Sequence, residues 1–315
     1  MIKPRTIRFG AFNIVTHPHS PKSYEELFTK ARDLKQVIKI WGDTHAILRT
    51  AFHPEEYKGS IITGEIFTFL NLDPSQPWFD ILKGEAATEK QTHEVKIPEN
   101  LRPHLKRIRY VFFPNSHIFV YVREDSAFGA ISPNNMSELL TALLNDNRIL
   151  EKAPYQAVDV RLVQDSTSLD WIFKNLRVEL LNITIRRPNG DTGGDAQESV
   201  EKELEEQNLQ EYFVSQKAEK GKAIKPNKRT NRLMKEATIN GHVEAKGLDQ
   251  DDVPHTLNTS ARPLIEPVVF DGKKAYFDFV IEAGRILVDK IIAATKVQES
   301  EDEAKKATGP KKSAT

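Results

Sequence analysis

The strongest chemical signal in the sequence is a dense run of basic side chains between Lys217 and Lys235. Eight cations stand there against a single acid, Glu219, and Gly221 and Pro226 predict a loop rather than a helix. Lysine and arginine at this density are typical of proteins that neutralise the phosphates of a nucleic-acid backbone. The segment predicts phosphate contacts by six side chains, namely Lys222, Lys225, Lys228, Arg229, Arg232 and Lys235.

The basic segment also has a simpler interpretation. A strongly acidic helix is predicted over Glu198–Gln216, directly before the cations, and the basic loop could neutralise that helix or the acidic face of a partner. No aromatic residue lies among the cations, so the sequence predicts no stacking on bases and no preference for a base sequence. Both interpretations remain open at the level of the sequence.

A second candidate is the tripeptide Asp271-Gly272-Lys273, which follows the apolar run Val268–Phe270. Some metal-dependent nucleases use an acid-x-lysine spacing to hold Mg²⁺ beside a charged activator, and Glu266 and Asp252 could complete such a site. Aspartate followed by glycine before a helix is also ordinary turn chemistry. Because patterns of three residues recur by chance, the sequence predicts neither a metal site nor a cofactor.

Two further motifs favour turns over sites. His17 and His19 lie among prolines, and no third metal ligand lies close to them in the sequence. The glycine-rich run Pro188–Asp195 lacks the spacings of phosphate-binding loops, and its aspartates would repel a phosphate. It is predicted to be a mobile loop with an aspartate helix cap.

Composition limits the possible classes of protein. The chain has 315 residues, of which 39% are hydrophobic and 29% are charged, and its 45 basic residues balance its 45 acidic ones. The absence of cysteine excludes disulfide scaffolds, thiolate metal sites and cysteine nucleophiles. No apolar run reaches the ~18 residues that a membrane-spanning helix needs, and no signal peptide is recognisable. We therefore expect a cytoplasmic protein that does not contact membranes.

The elements that would position these motifs are organised around a hairpin. The two β-rich runs Lys106–Pro114 and His117–Glu124 are separated by a short turn, and Ser132-Pro133 then predicts the start of a helix. The apolar residues of that helix recur at helical spacing, which predicts that one of its faces is buried; they are Met136, Leu139, Leu140, Leu143 and Leu144.

The segments before the hairpin add a strand and a helix. Thr6–Val15 is predicted to be a strand buried on both faces, with Ile7, Phe9 and Ala11 on one side and Phe12 and Ile14 on the other. Ser23 and Glu26 predict the cap of an amphipathic helix whose apolar stripe continues to Ile38. Hairpins interspersed with helices predict an α+β fold, with a mixed or antiparallel sheet and flanking helices.

We expect three regions along the chain. Residues 1–187 form the α+β core domain, and residues 188–297 supply the acidic helix, the basic loop, a strand pair (Glu236–Lys246 and Pro263–Phe270) and a long C-terminal helix over Lys274–Thr295 that packs on the core. Residues 298–315 are rich in Lys, Glu, Ala, Ser and Thr and are predicted to be a disordered tail.

Four short motifs resemble those of an uncharacterised bacterial family, domain-of-unknown-function 4747. They are HPHSP at His17–Pro21, PWFD at Pro77–Asp80, VFFP at Val111–Pro114 and the SP at Ser132-Pro133. The order of elements from Tyr110 to Ile185 is also similar to that of the phage exclusion protein RexA and its relatives. This second resemblance implies a prophage- or defence-associated protein that engages nucleic acid through its backbone and has no active site.

The sequence thus gives three hypotheses of different classes. The first is a non-enzymatic, sequence-nonspecific nucleic-acid-binding protein in bacterial phage defence or prophage exclusion. The second is a Mg²⁺-dependent nuclease centred on Asp271 and Lys273. The third is a protein-interaction module that forms a homodimer through the helix Lys274–Thr295.

Overall fold

The computed structural model describes residues 3–16, 18, 20–57, 59–165, 167–186, 202–204 and 206–307, with side chains described as far as residue 293. The strands are β1 (Arg5–Thr16), β2 (Val37–Trp41), β3 (Thr44–Phe52), β4 (Ile62–Leu70), β5 (Phe79–Asp80), β6 (Glu85–Ala86), β7 (Lys106–Phe113), β8 (Ile118–Asp125), β9 (Gly129–Ala130), β10 (Val158–Leu162), β11 (Arg177–Arg186), β12 (Glu211–Lys217), β13 (Gly241–Leu248), β14 (Pro254–Asn258) and β15 (Glu266–Phe270). The helices are α1 (Pro21–Asp33), α2 (Glu89–Glu94), α3 (Pro133–Leu144), α4 (Asn147–Leu150), α5 (Ser168–Asn175), α6 (Lys228–Asn240) and α7 (Tyr276–Ala307).

The strands form two main antiparallel sheets. In the first sheet the order is β10-β1-β8-β7-β4-β3-β2, while β15 pairs with the N-terminal half of β1 and β9 pairs with β8. In the second sheet the order is β12-β11-β13-β14. Helices lie on the faces of both sheets, so the predicted α+β fold is confirmed.

The first sheet is covered on both faces. One face packs against α1, α3 and α4, with Phe12 and Ile14 in that core, and the other packs against α7, with Ile7, Phe9 and Ala11 in that core. The double burial predicted for β1 is therefore confirmed. In the core beneath α1, Phe28 stacks with Phe112, Tyr110 and Phe119 at centroid distances of 5.0, 6.1 and 6.2 Å.

The central hairpin and the helix after it follow the prediction. β7 and β8 pair as expected, and the Ser132 hydroxyl caps α3 by accepting from the backbone N–H of Asn135, with Pro133 at the first helical position. The predicted bounds of the first helix are wrong. Its cap is Ser20 rather than Ser23, because Pro21 is suited to the first turn, and Ile38 lies in β2, where it pairs with β3.

The second sheet contains a split β-α-β unit. β12 and β13 both run antiparallel to β11, so they are parallel to each other, and α6 connects them by crossing one face of the sheet. Leu233, Met234 and Ala237 of α6 pack there against Leu181 and Ile183 of β11. The strand β11, which the sequence places with residues 1–187, thus takes its partners from later in the chain.

Three predictions about residues 198–270 are wrong. Residues 211–217 form β12 rather than the end of an acidic helix, because this segment pairs with β11 along its whole length. The predicted strand Glu236–Lys246 is helix up to Asn240 and becomes β13 at Gly241. The predicted strand Pro263–Phe270 begins at Glu266 and joins the first sheet, where it pairs with β1. Within the predicted acidic helix, residues 202–204 and 206 are helical, whereas 198–201 and 205 lie outside the described residues. The run Pro188–Asp195, His17 and His19 also lie outside them.

The C-terminal helix packs on the core, as predicted. Its apolar side chains, including Val280, Ala283 and Leu287, bury against the first sheet. The helix begins at Tyr276 and continues to Ala307, so its last residues fall within the segment 298–315 for which the sequence predicts disorder. Of the helices in the described part of the chain, none combines the length and apolar character of a membrane span.

A partly buried ion pair lies at the start of α7. The Arg5 guanidinium donates two hydrogen bonds to the Asp125 carboxylate, at 2.8 and 3.1 Å, and the Tyr276 hydroxyl donates a third at 2.5 Å. Arg5 also lies over the Phe270 ring, 4.9 Å from its centroid. Burial raises the pKa of Asp125, but the hydrogen bonds from Arg5 and Tyr276 outweigh it and leave that pKa below its ordinary value.

Candidate functional site

The predicted basic loop is divided between a short loop and a helix. The loop runs from Ala218 to Asn227 and stays close to the second sheet, because Ala218 and Ile224 donate backbone hydrogen bonds to β11 at Glu179 and Val178, both at 2.8 Å. From Lys228 onward the chain is α6. The prediction of a loop throughout is wrong for this half: both predicted helix breakers, Gly221 and Pro226, precede the helix cap.

The N-terminus of α6 combines two sources of positive potential. Asn227 caps the helix by accepting from the backbone N–H of Thr230 at 2.9 Å, and no acid lies in the first turn. The first two helical residues are instead the exposed cations Lys228 and Arg229. Since the backbone dipole already makes a helix N-terminus positive, side-chain cations there disfavour the isolated helix and favour a bound anion.

Three of the predicted contacts form a stripe along α6. Lys228, Arg232 and Lys235 are separated by four and three residues, which places them on one side of a helix. At a rise of about 1.5 Å per residue the stripe is about 10 Å long. The opposite side of α6 packs in the core of the second sheet. We call these three residues with Lys222, Lys225 and Arg229 the basic surface.

The residues of the basic surface differ in the contacts that they form within the chain and in their exposure. Lys222 forms an ion pair with Glu219, and Arg229 donates a hydrogen bond to the Tyr212 hydroxyl at 3.3 Å. Neither Arg232 nor Lys235 is without a partner, and both are half-buried. Lys225 and Lys228 are exposed. The surface therefore presents its most accessible charge where the loop meets the helix.

A buried polar network anchors the C-terminal end of α6. The Asn240 side-chain oxygen accepts from Asn13 Nδ2 at 3.1 Å and from Arg161 Nη1 at 3.0 Å, and Asn240 Nδ2 donates to Glu236 at 2.6 Å. Burial lowers the pKa of the Arg161 guanidinium, and the neighbouring Asp159, at 2.7 Å, partly offsets that effect. The network ties α6 to β1 and β10, so the second sheet holds the basic surface in a fixed position relative to the first.

Sequence patterns did not reveal this network. Arg161 alternates with apolar residues in β10, a pattern that by itself predicts an exposed side chain, yet only 5% of its surface is exposed. Glu236 and Asn240 are one helical turn apart, and this spacing is a sequence signal for their contact. A strand predicted over these residues excludes that contact, so the signal was not used.

A shallow cleft of about 300 Å³ lies on the other face of the second sheet, beside the start of the basic loop. Lys217 of β12 and Lys246 of β13 lie on either side of Leu180 of β11, and His255 and Thr256 of β14 also line the cleft. The cleft adds two lysines to the region, but Lys246 already pairs with Glu244 at 3.4 Å.

The candidate nuclease site is an ordinary turn. Asp271 accepts from the backbone N–H of Lys273 at 3.1 Å and pairs with its ammonium at 3.0 Å, and these interactions lower the pKa of Asp271. Its two suggested partners are engaged elsewhere, Glu266 with Lys290 and Asp252 with Arg177. Within the described residues, no group of three His, Asp or Glu side chains could hold a metal ion.

These features define a class of protein: an α+β chain with two antiparallel sheets and a basic helix held at their junction. The chain belongs to the family of the domain of unknown function DUF4747, whose profile matches residues 5–285. The comparison with curated proteins finds no match. The family resemblance seen in the turn motifs is thereby confirmed.

Proposed function

We propose that the protein binds nucleic acid through the phosphate backbone, without sequence preference and without catalysis, and acts in bacterial phage defence or prophage exclusion in the cytoplasm. The observation that supports the binding role is the basic surface, in which a capped helix N-terminus and six cations share one region. The resemblance of residues 110–185 to RexA relatives supports the biological setting.

The chemistry of this surface suits phosphates better than bases. Lysine ammonium groups on a loop and at a helix end bind phosphate oxygens as point charges and can adjust to a repeating backbone. No aromatic residue lies between Lys217 and Lys235, so this segment has no platform for stacking. Binding of this kind releases counterions and is strongly weakened by salt.

The other two hypotheses have less support. The nuclease would need acids beside Asp271, but Glu266 and Asp252 pair with cations at other places. A homodimer through the C-terminal helix would need its apolar stripe, which buries against the first sheet of the same chain.

The first experiment is a salt titration of binding to labelled DNA and RNA duplexes, followed by fluorescence anisotropy. Counterion release predicts that the slope of log K against log salt changes by about 0.9 for each phosphate contact. The triple variant Lys222→Gln, Lys225→Gln, Lys228→Gln should therefore have a slope shallower by about 2.7 for every duplex sequence alike. Replacing all six cations should abolish the salt-dependent component.

A matched control removes the same charge elsewhere. Lys83, Lys90 and Lys96 are exposed lysines in the segment between β4 and β7, and their replacement by Gln should leave the slope unchanged. Equal losses in the two triple variants would mean that net charge rather than the basic surface governs binding. No binding by the native chain at low salt would refute the proposed function.

A further inference from the structure

An unpaired strand edge lies beside the basic surface. Among the strands that the structure describes, β12 forms one edge of the second sheet and pairs only through its other side, with β11. It contains seven residues and neither proline nor glycine. Its outward side chains, Glu211, Phe213, Ser215 and Lys217, are exposed, and Phe213 is 61% exposed although it is a large apolar residue. An edge of this length and character is a template for another strand.

We propose that β12 pairs antiparallel with β12 of a second copy of this chain, so that the second sheets of the two copies become one continuous sheet. This inference concerns an interaction surface and does not depend on the proposed nucleic-acid binding. The pattern of side chains along β12 favours a second copy of this chain over a strand from another protein.

The symmetric register of β12 matches every outward side chain with a suitable partner. A two-fold axis through Val214 places Glu211 opposite Lys217 of the partner subunit, and Lys217 opposite Glu211 of the partner subunit. Phe213 faces Ser215 of the partner subunit and lies diagonal to Phe213 of the partner subunit, within reach of an aromatic side chain. Pairing would thus create two opposite-charge pairs and cover the exposed aromatic ring. Arg186, which binds Glu211 at 2.8 Å, lies in the neighbouring strand and would adjoin each pair.

Three other edges in the described residues, β2, β14 and β15, lack this match. The same symmetric pairing of β2 would place the exposed Lys39 directly opposite itself, and like charges in that position are unfavourable. β14 begins with Pro254, and β15 contains Pro267, which cannot donate a backbone hydrogen bond. Lysine and proline are the residues that proteins use to protect edges from pairing. β12 has proline at no position, and its one lysine falls opposite an acid.

In the described part of the chain, the packing on the second sheet is compatible with this contact. α6 packs mainly over β11 and β13, the two inner strands, and its hydrogen bonds to Tyr212 and Gln216 of β12 lie on the same covered face. A two-fold axis perpendicular to the sheet keeps the helices of both copies on the same face, so the second copy approaches β12 in the plane of the sheet.

The test is sedimentation equilibrium of the full chain over a range of concentrations, with a charge exchange on β12. Lys217→Glu places two carboxylates opposite each other in both symmetric pairs and should weaken the dimer at least about tenfold. Glu211→Lys should do the same. The double variant Glu211→Lys, Lys217→Glu restores opposite charges across the two-fold axis and should recover part of the lost affinity, because the cation introduced at position 211 also lies beside Arg186.

Lys220→Glu is the matched control, since it makes the same change of charge at an exposed residue just beyond β12. Circular dichroism of each variant at low concentration checks that the monomer is folded. A native chain that stays monomeric at hundreds of micromolar, or a dimer equally affected by Lys217→Glu and Lys220→Glu, would overturn the proposal. So would failure of the double variant to recover while it remains folded. None of these variants alters the six residues of the basic surface, so nucleic-acid binding can be measured on the same proteins.

Discussion

The two sheets of the molecule differ in how much of their surface is buried by packing. The first sheet has a core on each face, and strand residues such as Phe9 and Phe12 of β1 are fully buried on opposite sides. The second sheet has one core, and the outward residues of β11 and β12, such as Asn182 and Ser215, are partly or fully exposed. Among the described residues, the first sheet is therefore buried on both faces, whereas the second has one exposed face and one exposed edge.

Charged groups follow the same division. In the first sheet the Asp125 carboxylate is inaccessible and held by Arg5, so its charge serves the fold. In the second sheet the cations Lys225 and Lys228 are exposed, and their charge serves no described contact within the chain. The contrast predicts that substitutions in the first sheet change stability, whereas substitutions on the surface of the second change binding.

The largest effect should come from the aromatic core of the first sheet. Phe28→Ala removes a ring that stacks on three others, and large-to-small changes of this kind cost about 3–5 kcal/mol of the free energy of unfolding. The matched substitution in the second sheet, Phe213→Ala, should cost less than about 0.5 kcal/mol because that ring is mostly exposed. Urea unfolding measured at low protein concentration compares the two. Similar losses of the free energy of unfolding in both variants would contradict the proposed difference between the two sheets.

A smaller loss is expected at the ion pair beneath α7, and it should depend on pH. Asp125→Asn leaves Arg5 without its carboxylate; because Arg5 is partly exposed, the cost should be about 2–3 kcal/mol, below the 3–5 kcal/mol of a fully buried pair. The pKa of Asp125 is lowered in the folded state, so this contribution is present above the unfolded value of about 3.9 and is lost as pH falls through the folded value.

Chemical unfolding at a series of pH values from 7 down to 2 measures this dependence, because the contribution is lost only below about 3.9. The native chain should lose stability over the acidic part of that range, and the difference between it and the Asp125→Asn variant should narrow there. A difference that stays constant with pH would show that Asp125 contributes through shape alone.

The sequence predicted the first sheet better than the second for a physical reason. β7, β8 and α3 follow one another closely in the chain, with only the short strand β9 between β8 and α3, and their turn and cap residues, such as Ser132 and Pro133, are local signals. β12 contains the strand-favouring residues Tyr212, Phe213 and Val214, but the acidic residues before it extend the predicted helix through Gln216. Its partner β11 lies earlier in the chain, so the pairing that distinguishes strand from helix gives no local signal.

The candidate site shows the same limit. The density of charge along the sequence indicates the six cations. It does not indicate how they are arranged in space. The cap at Asn227 was an available signal for α6, and Pro226 before it was misinterpreted as a break within the segment. Asn240 and Arg161 are hydrogen-bonded although they are 79 residues apart in the sequence, and no local sequence pattern indicates a contact over such a separation.

Among the buried groups, the smallest loss of stability is expected at the polar network around Asn240, and it tests whether the two sheets unfold together. Asn240→Ala removes the acceptor of Asn13 and Arg161 and the donor to Glu236, and buried groups left without partners cost about 1–3 kcal/mol. We expect the lower half of that range, because Arg161 keeps its bond to Asp159. Asn231→Ala, an exposed change on the same helix, is the control.

Hydrogen exchange resolves where that loss occurs. If the sheets are joined chiefly by this network, amide protection should fall in α6 and β13 while β7 and β8 stay protected, because local opening of the second sheet then no longer requires the first to open. A uniform loss of protection in both sheets would show one cooperative unit, and the basic surface would then be as rigid as the core beneath it. An effect no larger than that of Asn231→Ala would mean that the apolar packing of α6, and not the network around Asn240, fixes the helix that holds the basic surface.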